Sequence, residues 1–280
     1  MPCSFFLLVI MSNLSRANQI SSPFILIGIP GMEEMHVWIS IPLCCMYIVT
    51  ISANITVLLI IKTDRRLHQP MYLLLSMLLV TDLVQSNAAI PKMLLLFWFK
   101  LREITFEECL VQMFLIHSSS LMATSVLLTI RLPFCGNHII PQTYCEHMAV
   151  AKLSCGDIRI NFIYGLLVPL LVVGLDTICL ILSYTMIIMA VLRLPNREAR
   201  YKVGNTCAAH VGVILVFYIP ALFSFISQRF GASSAPSVQI LISNLYLIIP
   251  PMLNPIIYGI NTKEIRKKVS KCFSLVGNSL

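Results

Sequence analysis

Apolar residues in this chain gather in long unbroken runs, not in the one-sided stripes of a surface helix or the alternation of a half-buried strand. The runs cover residues 37–61, 71–99, 111–130, 160–192, 206–227 and 238–260. At a helical rise of about 1.5 Å per residue, each reaches across a hydrocarbon layer of roughly 30 Å. Backbone polar groups in lipid need partners within their own segment, and no series of short period-two strands recurs, so the pattern predicts helices and not a barrel. The expected fold is all-α, a polytopic transmembrane helix bundle with about six full hydrophobic segments. Pro42, Pro91, Pro169, Pro220, Pro250 and Pro255 fall within the runs, where membrane helices tolerate them as kinks.

The polar residues between runs set sidedness. Lys62, Arg65 and Arg66 follow the first run; Arg193, Arg197, Arg200 and Lys202 follow the fourth; Lys263, Arg266, Lys267, Lys268 and Lys271 follow the last. Such basic clusters mark the cytoplasmic side. Residues 100–108 carry more acid than base and residues 231–237 carry no charge, which suits the outside. Three parts result: an extracellular N-terminus at 1–36, the bundle at 37–260 with an outer loop at 132–159, and a cytoplasmic amphipathic tail at 261–280. The outer N-terminus contains the sequon Asn13-Leu14-Ser15, a glycosylation site if lumenal. The apolar stretch at 5–11 lacks a preceding basic residue and a small-residue cleavage site, so it is not expected to be a signal peptide. In the tail, Ile265, Val269, Cys272 and Phe273 share one face of an interfacial helix, and Cys272 is a candidate for palmitoylation.

This sidedness meets a conflict at 111–130. The segment before it and the loop after it are both assigned to the outside, because the run at 160–192 must then travel inward to Arg193. Either one helix is missing from the chain or this run does not cross.

Composition agrees with a membrane chain. Its 280 residues are 58% hydrophobic and 11% charged, with a mean hydropathy of +0.86, against about 45–50% apolar and 25% charged in soluble domains. The formal charge of +8 lies in the inner clusters without interleaved stacking aromatics, so it speaks for topology and against nucleic acid. No nucleophile elbow, zinc-protease helix motif or phosphate-binding glycine loop organises the scattered Ser, His and acidic residues, so neither enzyme activity nor a cofactor is expected. Of ten cysteines, Cys44, Cys45, Cys179 and Cys207 sit inside apolar runs as small hydrophobes. Cys109, Cys135, Cys145 and Cys155 flank or occupy the outer loop, where oxidation permits disulfides, and four cysteines allow three pairings. A zinc site using His138 and His147 is the weaker reading, for the spacing lacks a CxxC pair, and no metal is expected.

Several strings carry a family resemblance. Leu67-His68-Gln69-Pro70-Met71-Tyr72 followed by LLLSMLLVTDL, Ser183-Tyr184, KVGNTCAAH at 202–210, FYIP at 217–220 and PPMLNPIIYGINTKEIR at 250–266 resemble odorant (olfactory) receptors of the rhodopsin-like G-protein-coupled receptor superfamily. ILIGIPGME and TYCEHMAVAKLSCGD resemble the class I, fish-like branch, whose members are associated with carboxylic acids and other polar odorants. The resemblance implies a seven-helix receptor in the plasma membrane that binds a small-molecule odorant, contacts membrane lipid and partners a stimulatory G protein of the olfactory type. The rival is a small membrane transporter or channel with Asp82 on an ion path, which no inverted repeat supports.

One departure is plain. After CLVQMFLIHSSSLMATSVLL the family continues through a MAxDRYVAIC motif, an inner loop and a fourth helix, whereas here TIRLPFCGNHII follows at once. The resemblance thus implies that a few dozen residues are absent, including the DRY motif and most of the fourth helix. It also implies impaired coupling and retention in the endoplasmic reticulum.

By the same resemblance, Asp82, Asn254, Pro255 and Tyr258 form the activation switch, the bland alternative being a hydrogen-bonded packing pair. Ala123 replaces the family's acidic partner. The implied disulfides are Cys109–Cys145 and Cys135–Cys155. Arg229 either snorkels to the interface or stands as a cation at a pocket mouth facing an anionic head group. His117 is a ligand contact or a helix-to-helix hydrogen bonder. Met113, Phe114, Met122, Phe162, Phe223 and Phe225 are candidates for an apolar pocket lining, each with core packing as the alternative.

Overall fold

In the computed structural model the described residues are 23–68, 70–116, 120–136, 138–193, 197–230, 235–262 and 264–270. Asn13, His117 and Cys272 lie outside them.

Helix α1 spans His36–Thr63, α2 Pro70–Phe99, α6 Arg159–Leu192, α7 Arg197–Phe230 and α8 Pro236–Asn261. Among the described residues, α1, α2, α6 and α8 supply four segments long and apolar enough to cross a membrane. Hydroxyl side chains within them donate to carbonyls one turn back, as Thr50 does to Met46, Ser86 to Asp82 and Thr177 to Val173. That back-bonding pairs these hydroxyl protons within their own helices, as lipid requires. Helix α1 packs on α2 and α8, and α8 also packs on α2 and α7.

At the inner end the Asp64 carboxylate accepts from Arg66 N–H at 3.1 Å and pairs with Lys268 Nζ at 3.0 Å. Ile265, on the helical stretch 264–270, is fully buried among Val57, Ile61, Leu67 and Leu79, while Arg266 and Lys267 stay exposed. The amphipathic tail therefore docks by one face against α1 and α2.

At the opposite end, the outer one by the charge pattern, three short strands make a sheet. Strand β1 (Phe24–Leu26) is central, antiparallel to β2 (Glu103–Ile104) with Phe24 opposite Ile104, and parallel to β3 (Ile139–Ile140) with Ile25 opposite Ile139. Alternation places Phe24 and Leu26 in the core and Ile25 outside. Gly28, at φ +85°, turns the chain beyond β1, and a Cβ there would lie 2.8 Å from the His36 ring.

The run at 111–130 is not one span, which corrects its reading as a candidate crossing. It belongs to two helices, α3 (Phe106–Ile116) and α4 (Ser120–Ile130). Phe134, shortly after α4, has its ring centroid 5.5 Å from that of Phe106 at the start of α3. A continuous helix from 106 to 130 would separate its ends by about 37 Å. The pair is therefore a hairpin whose two ends both lie at the sheet end of the bundle, a re-entrant segment if that end is the outer one as the charge pattern has it. Each arm is about 16 Å long, half the hydrocarbon layer. Such a segment is tolerated at membrane depth when protein surrounds it, and here α3 packs on α2 while α4 packs on α6 and on α5, the short loop helix His147–Ala151. Val126 and Ile130 join Cys109, Leu110, Met113 and Val150 in the main core. Of the two resolutions of the sidedness conflict, this fold takes the non-crossing one.

The hairpin's shallow reach leaves α6 bare further in. Only 6% of its apolar window is buried, and Leu175, Ile178, Leu182 and Met186 are each exposed.

Candidate functional site

The halves of α6, α7 and α8 nearer the sheet, with the loop that contains α5 as a roof, line a cavity of about 430 Å³ that is partly open, within the roughly 300–1,000 Å³ range of small-molecule sites. Pro169, Leu170, Val173, Ala221, Leu222, Phe225 and Pro250 supply apolar wall. Gln85, Tyr144, Glu146, His147, Tyr218, Ser224, Arg229 and Tyr246 bring polar atoms to it.

The roof is pinned at three places. Cys145 is disulfide-bonded to Cys109 on α3, with Cα atoms 5.4 Å apart. Beside that bond, Cys145 N–H donates to Gln112 Oε1 at 2.8 Å, and Gln112 Nε2 donates to the Ala88 carbonyl at 2.9 Å on α2. The Thr143 hydroxyl donates to Asn244 Oδ1 on α8. Cys135 and Cys155 form a second bond, Cα atoms 5.9 Å apart, beside the hydrogen bond from Cys155 N–H to the Pro133 carbonyl.

Glu146 starts α5 as its N-cap, accepting the Met148 and Ala149 N–H groups at 3.0 Å each. Burial pushes its carboxyl above the usual carboxylate range, against the Ala149 hydrogen bond, the positive charge of Arg229 and the Met148 hydrogen bond. Burial likewise raises the Tyr144 phenol. The neighbouring His147 is buried, its Nε2 3.5 Å from Asn161 Nδ2 on α6.

Arg229, in the last turn of α7, turns back into this site. One guanidinium nitrogen donates to the Gly165 carbonyl at 2.5 Å, another reaches the Phe225 carbonyl at 3.5 Å, and the group sits 4.0 Å over the Phe225 ring, a cation–π contact. Gly165 permits the approach: a Cβ there would stand 2.7 Å from Arg229 Nη2 and 3.2 Å from His147 Nδ1.

The structure thus puts Phe225 and Arg229 on one wall. It puts Met113 in the main core, fully buried, with Phe114 packed against the same cluster. Phe162 meets Phe230 edge-on at 6.2 Å and, like Phe223, does not line the cavity. Sequence reasoning passed over Gly165, Tyr144, Glu146, Tyr218 and Tyr246. The adjacency of Glu146 to a loop cysteine was the available signal, as was the lone phenol of Tyr246 within an apolar run.

Deeper in the bundle, Asn254 Nδ2 donates to Asp82 Oδ2 at 2.9 Å, joining α8 to α2. Asn54 was not singled out from the sequence. Buried on α1, it donates to the Thr50 and Pro251 carbonyls, both at 2.8 Å, across a chain separation of 197. Pro255 is buried one residue beyond Asn254, and Tyr258 is 40% exposed a turn further on. Among the described residues no group of three or more His, Cys, Asp or Glu side chains could hold a metal ion.

Comparison with known proteins bears on this architecture. A family model described as Olfactory receptor matches residues 43–132 and, in a second stretch, 127–275. Human olfactory receptor 52D1 is 41% identical over 316 residues, covering 96% of this chain and 99% of that protein. Human olfactory receptor 52N4 is 42% identical with coverage of 94% and 97%, and 52K2 is 44% identical with coverage of 89% and 94%. Squid rhodopsin superposes with a TM-score of 0.55 over 89% of this chain and 87% of its own, at 14% identity, a likeness of fold alone.

Proposed function

The chain belongs to the olfactory receptor family, and from that premise we propose that it binds a small polar odorant in the roofed cavity between α6, α7 and α8. It is a multi-pass membrane protein of the G-protein-coupled receptor type and not an enzyme. The observation that carries the proposed binding site is the roofed cavity itself, apolar over most of its wall yet lined by a few polar residues. Phe225 packs the ligand's alkyl part and Arg229 supplies the cation on the wall, and His117, outside the described residues, is proposed as a further ligand contact. Carboxylic acids, associated with the class I branch, belong to the ligand classes to be tried. Purified full-length chain in lipid nanodiscs, titrated with a panel of C4–C8 acids, alcohols, ketones and amines, tests the site. Saturable binding that Phe225→Ala weakens supports it, and absence of saturable binding to a folded chain refutes it.

The proposed topology places residues 1–36 outside with a glycan on Asn13, and the tail 261–280 inside, in a chain destined for the plasma membrane. Asp82, Asn254, Pro255 and Tyr258 are proposed as the switch that reports ligand occupancy to the inner face. The hydrogen bond between Asp82 and Asn254 is what supports that role.

A shortened, coupling-impaired receptor is the finer reading. It is supported by the division of the family match at 127–132 and by an alignment of 316 positions onto a chain of 280 residues. It is supported too by the hairpin, since α4 turns back outward where a signalling helix would reach the inner face. Partnership with a stimulatory olfactory-type G protein is then weak, and retention in the endoplasmic reticulum reduces the share of the chain that reaches the plasma membrane. An odorant-driven cAMP assay with the missing segment restored from a relative tests this. Equal surface expression and equal cAMP from both chains would refute it.

A further inference from the structure

Of the four spans long and apolar enough to cross a membrane, α6 is the least covered: 6% of its apolar window is buried, against 28%, 33% and 39% in α1, α2 and α8. Exposed apolar side chains are satisfied by lipid alone. Asp176 is not. It is the only charged residue between Arg159 and Arg193, and it is exposed. It stands about 25 Å of helix from Arg159 and about 24 Å from Leu192, close to mid-span. Among the described residues it has no hydrogen bond and no ion pair. The Tyr218 phenol on α7 feels its charge without bonding to it, and the adjacent Thr177 hydroxyl is committed to the Val173 carbonyl. A carboxyl left so in hydrocarbon carries a free-energy cost that a hydrogen-bonding partner on another helix removes.

Asp176 also belongs to a seam. Val172, Asp176, Cys179, Ser183, Met186 and Ala190 follow one another at alternating steps of four and three, and all six are exposed. That spacing sets them in one line along α6, the line on which two helices wrap left-handedly. Cys179, Ser183 and Ala190 are small, so a second backbone can come close. We propose that a second copy of this chain covers the seam, the two chains pairing through parallel α6 helices about a two-fold axis along the membrane normal. Such an axis sets each seam residue against its own copy at the same depth. Asp176 then meets Asp176, and two carboxyls that share one proton are donor and acceptor to each other. An unrelated helix would need a polar group at that depth; the copy carries one by construction. Cys179, one turn further in, meets its own copy as well.

The test uses the full-length chain in lipid vesicles, with the Cys109–Cys145 bond intact. Oxidation with copper phenanthroline is expected to give a reducible dimer that Cys179→Ser abolishes and Cys45→Ser leaves unchanged. Single-molecule photobleaching across a range of protein densities reads the dimer affinity. Asp176→Leu is expected to weaken it about tenfold, whereas Asp176→Asn, whose amides pair in the same self-complementary way, stays within about twofold of wild type. Ser183→Trp obstructs the seam two turns away and weakens the dimer independently of the acid; Ile181→Trp, on the other side of α6, does not. Monomers at every density, a dimer that crosslinks through Cys45 and not Cys179, or an affinity unmoved by both Asp176→Leu and Ser183→Trp overturns the proposal. Odorant titration is a separate readout, so each of these results leaves the reading of the cavity standing.

Discussion

Phe106 and Phe134 meet edge to face at 5.5 Å, although the rest of α3 and the whole of α4 lie between them in the chain. Phe24 of the central strand packs on both rings, at 5.9 and 5.8 Å. The three aromatics close the base of the hairpin and hold the following loop at the same end of the bundle as the three-stranded sheet. With the hairpin turned back, α6 starts at that end of the bundle and carries Arg193 to the opposite one, the placement that the proposed topology requires.

A cysteine placed at Leu132 is therefore expected to react with a membrane-impermeant maleimide from outside. Labelling only after permeabilisation would mean that 106–130 crosses. Phe106→Ala removes the shared aromatic partner and is expected to cost about 3 kcal/mol in thermal unfolding.

Gly165→Ala puts a methyl group where Arg229 Nη2 and His147 now stand, at 2.7 and 3.2 Å. Arg229 must leave the Gly165 carbonyl, and affinity for a hydrogen-bonding odorant is expected to fall about tenfold with little change in melting temperature. Ligand titration of the variant checks this, and pairing it with Arg229→Gln should produce little further loss.

Asn254→Ala strips the buried Asp82 carboxyl of its amide donor and is expected to destabilise the bundle by about 1–3 kcal/mol. Asp82→Asn in the same chain relieves most of that cost, because the unpartnered acid is gone. A double-mutant cycle read by thermal unfolding measures the coupling, and simple additivity of the two effects would argue against a direct pair.

The carboxyl of Glu146 is raised by burial, so the folded chain binds its proton more tightly than the unfolded chain does. The stability tied to this group is complete below the ordinary glutamate range of about 4.3 and is lost as pH rises from there through the elevated folded value. The midpoint of thermal unfolding is expected to decline with pH across that window. In Glu146→Gln the decline is expected to be shallower, and identical pH profiles for the two chains would show that Glu146 contributes nothing to it.

Run length, basic clusters and family strings are local properties, and they carried the sequence a long way. The apolar runs at 37–61, 71–99, 160–192 and 238–260 correspond to α1, α2, α6 and α8, because a lipid layer about 30 Å thick selects for length whatever the neighbours are. Charge placement exposed the conflict at 111–130 without resolving it. The outcome depends on Phe106, Phe134 and Phe24 coming together, which no window of sequence contains. The cavity needed tertiary structure for the same reason. In lipid every face of a helix is apolar, so periodicity does not say which face turns inward. That Thr143 meets Asn244 across a separation of 101, that Asn54 reaches Pro251, and that Glu146 shares a wall with Arg229 are results of packing. Arg229 read alone is a cation with unknown surroundings; only the folded chain sets it over the Phe225 ring and against the Gly165 carbonyl.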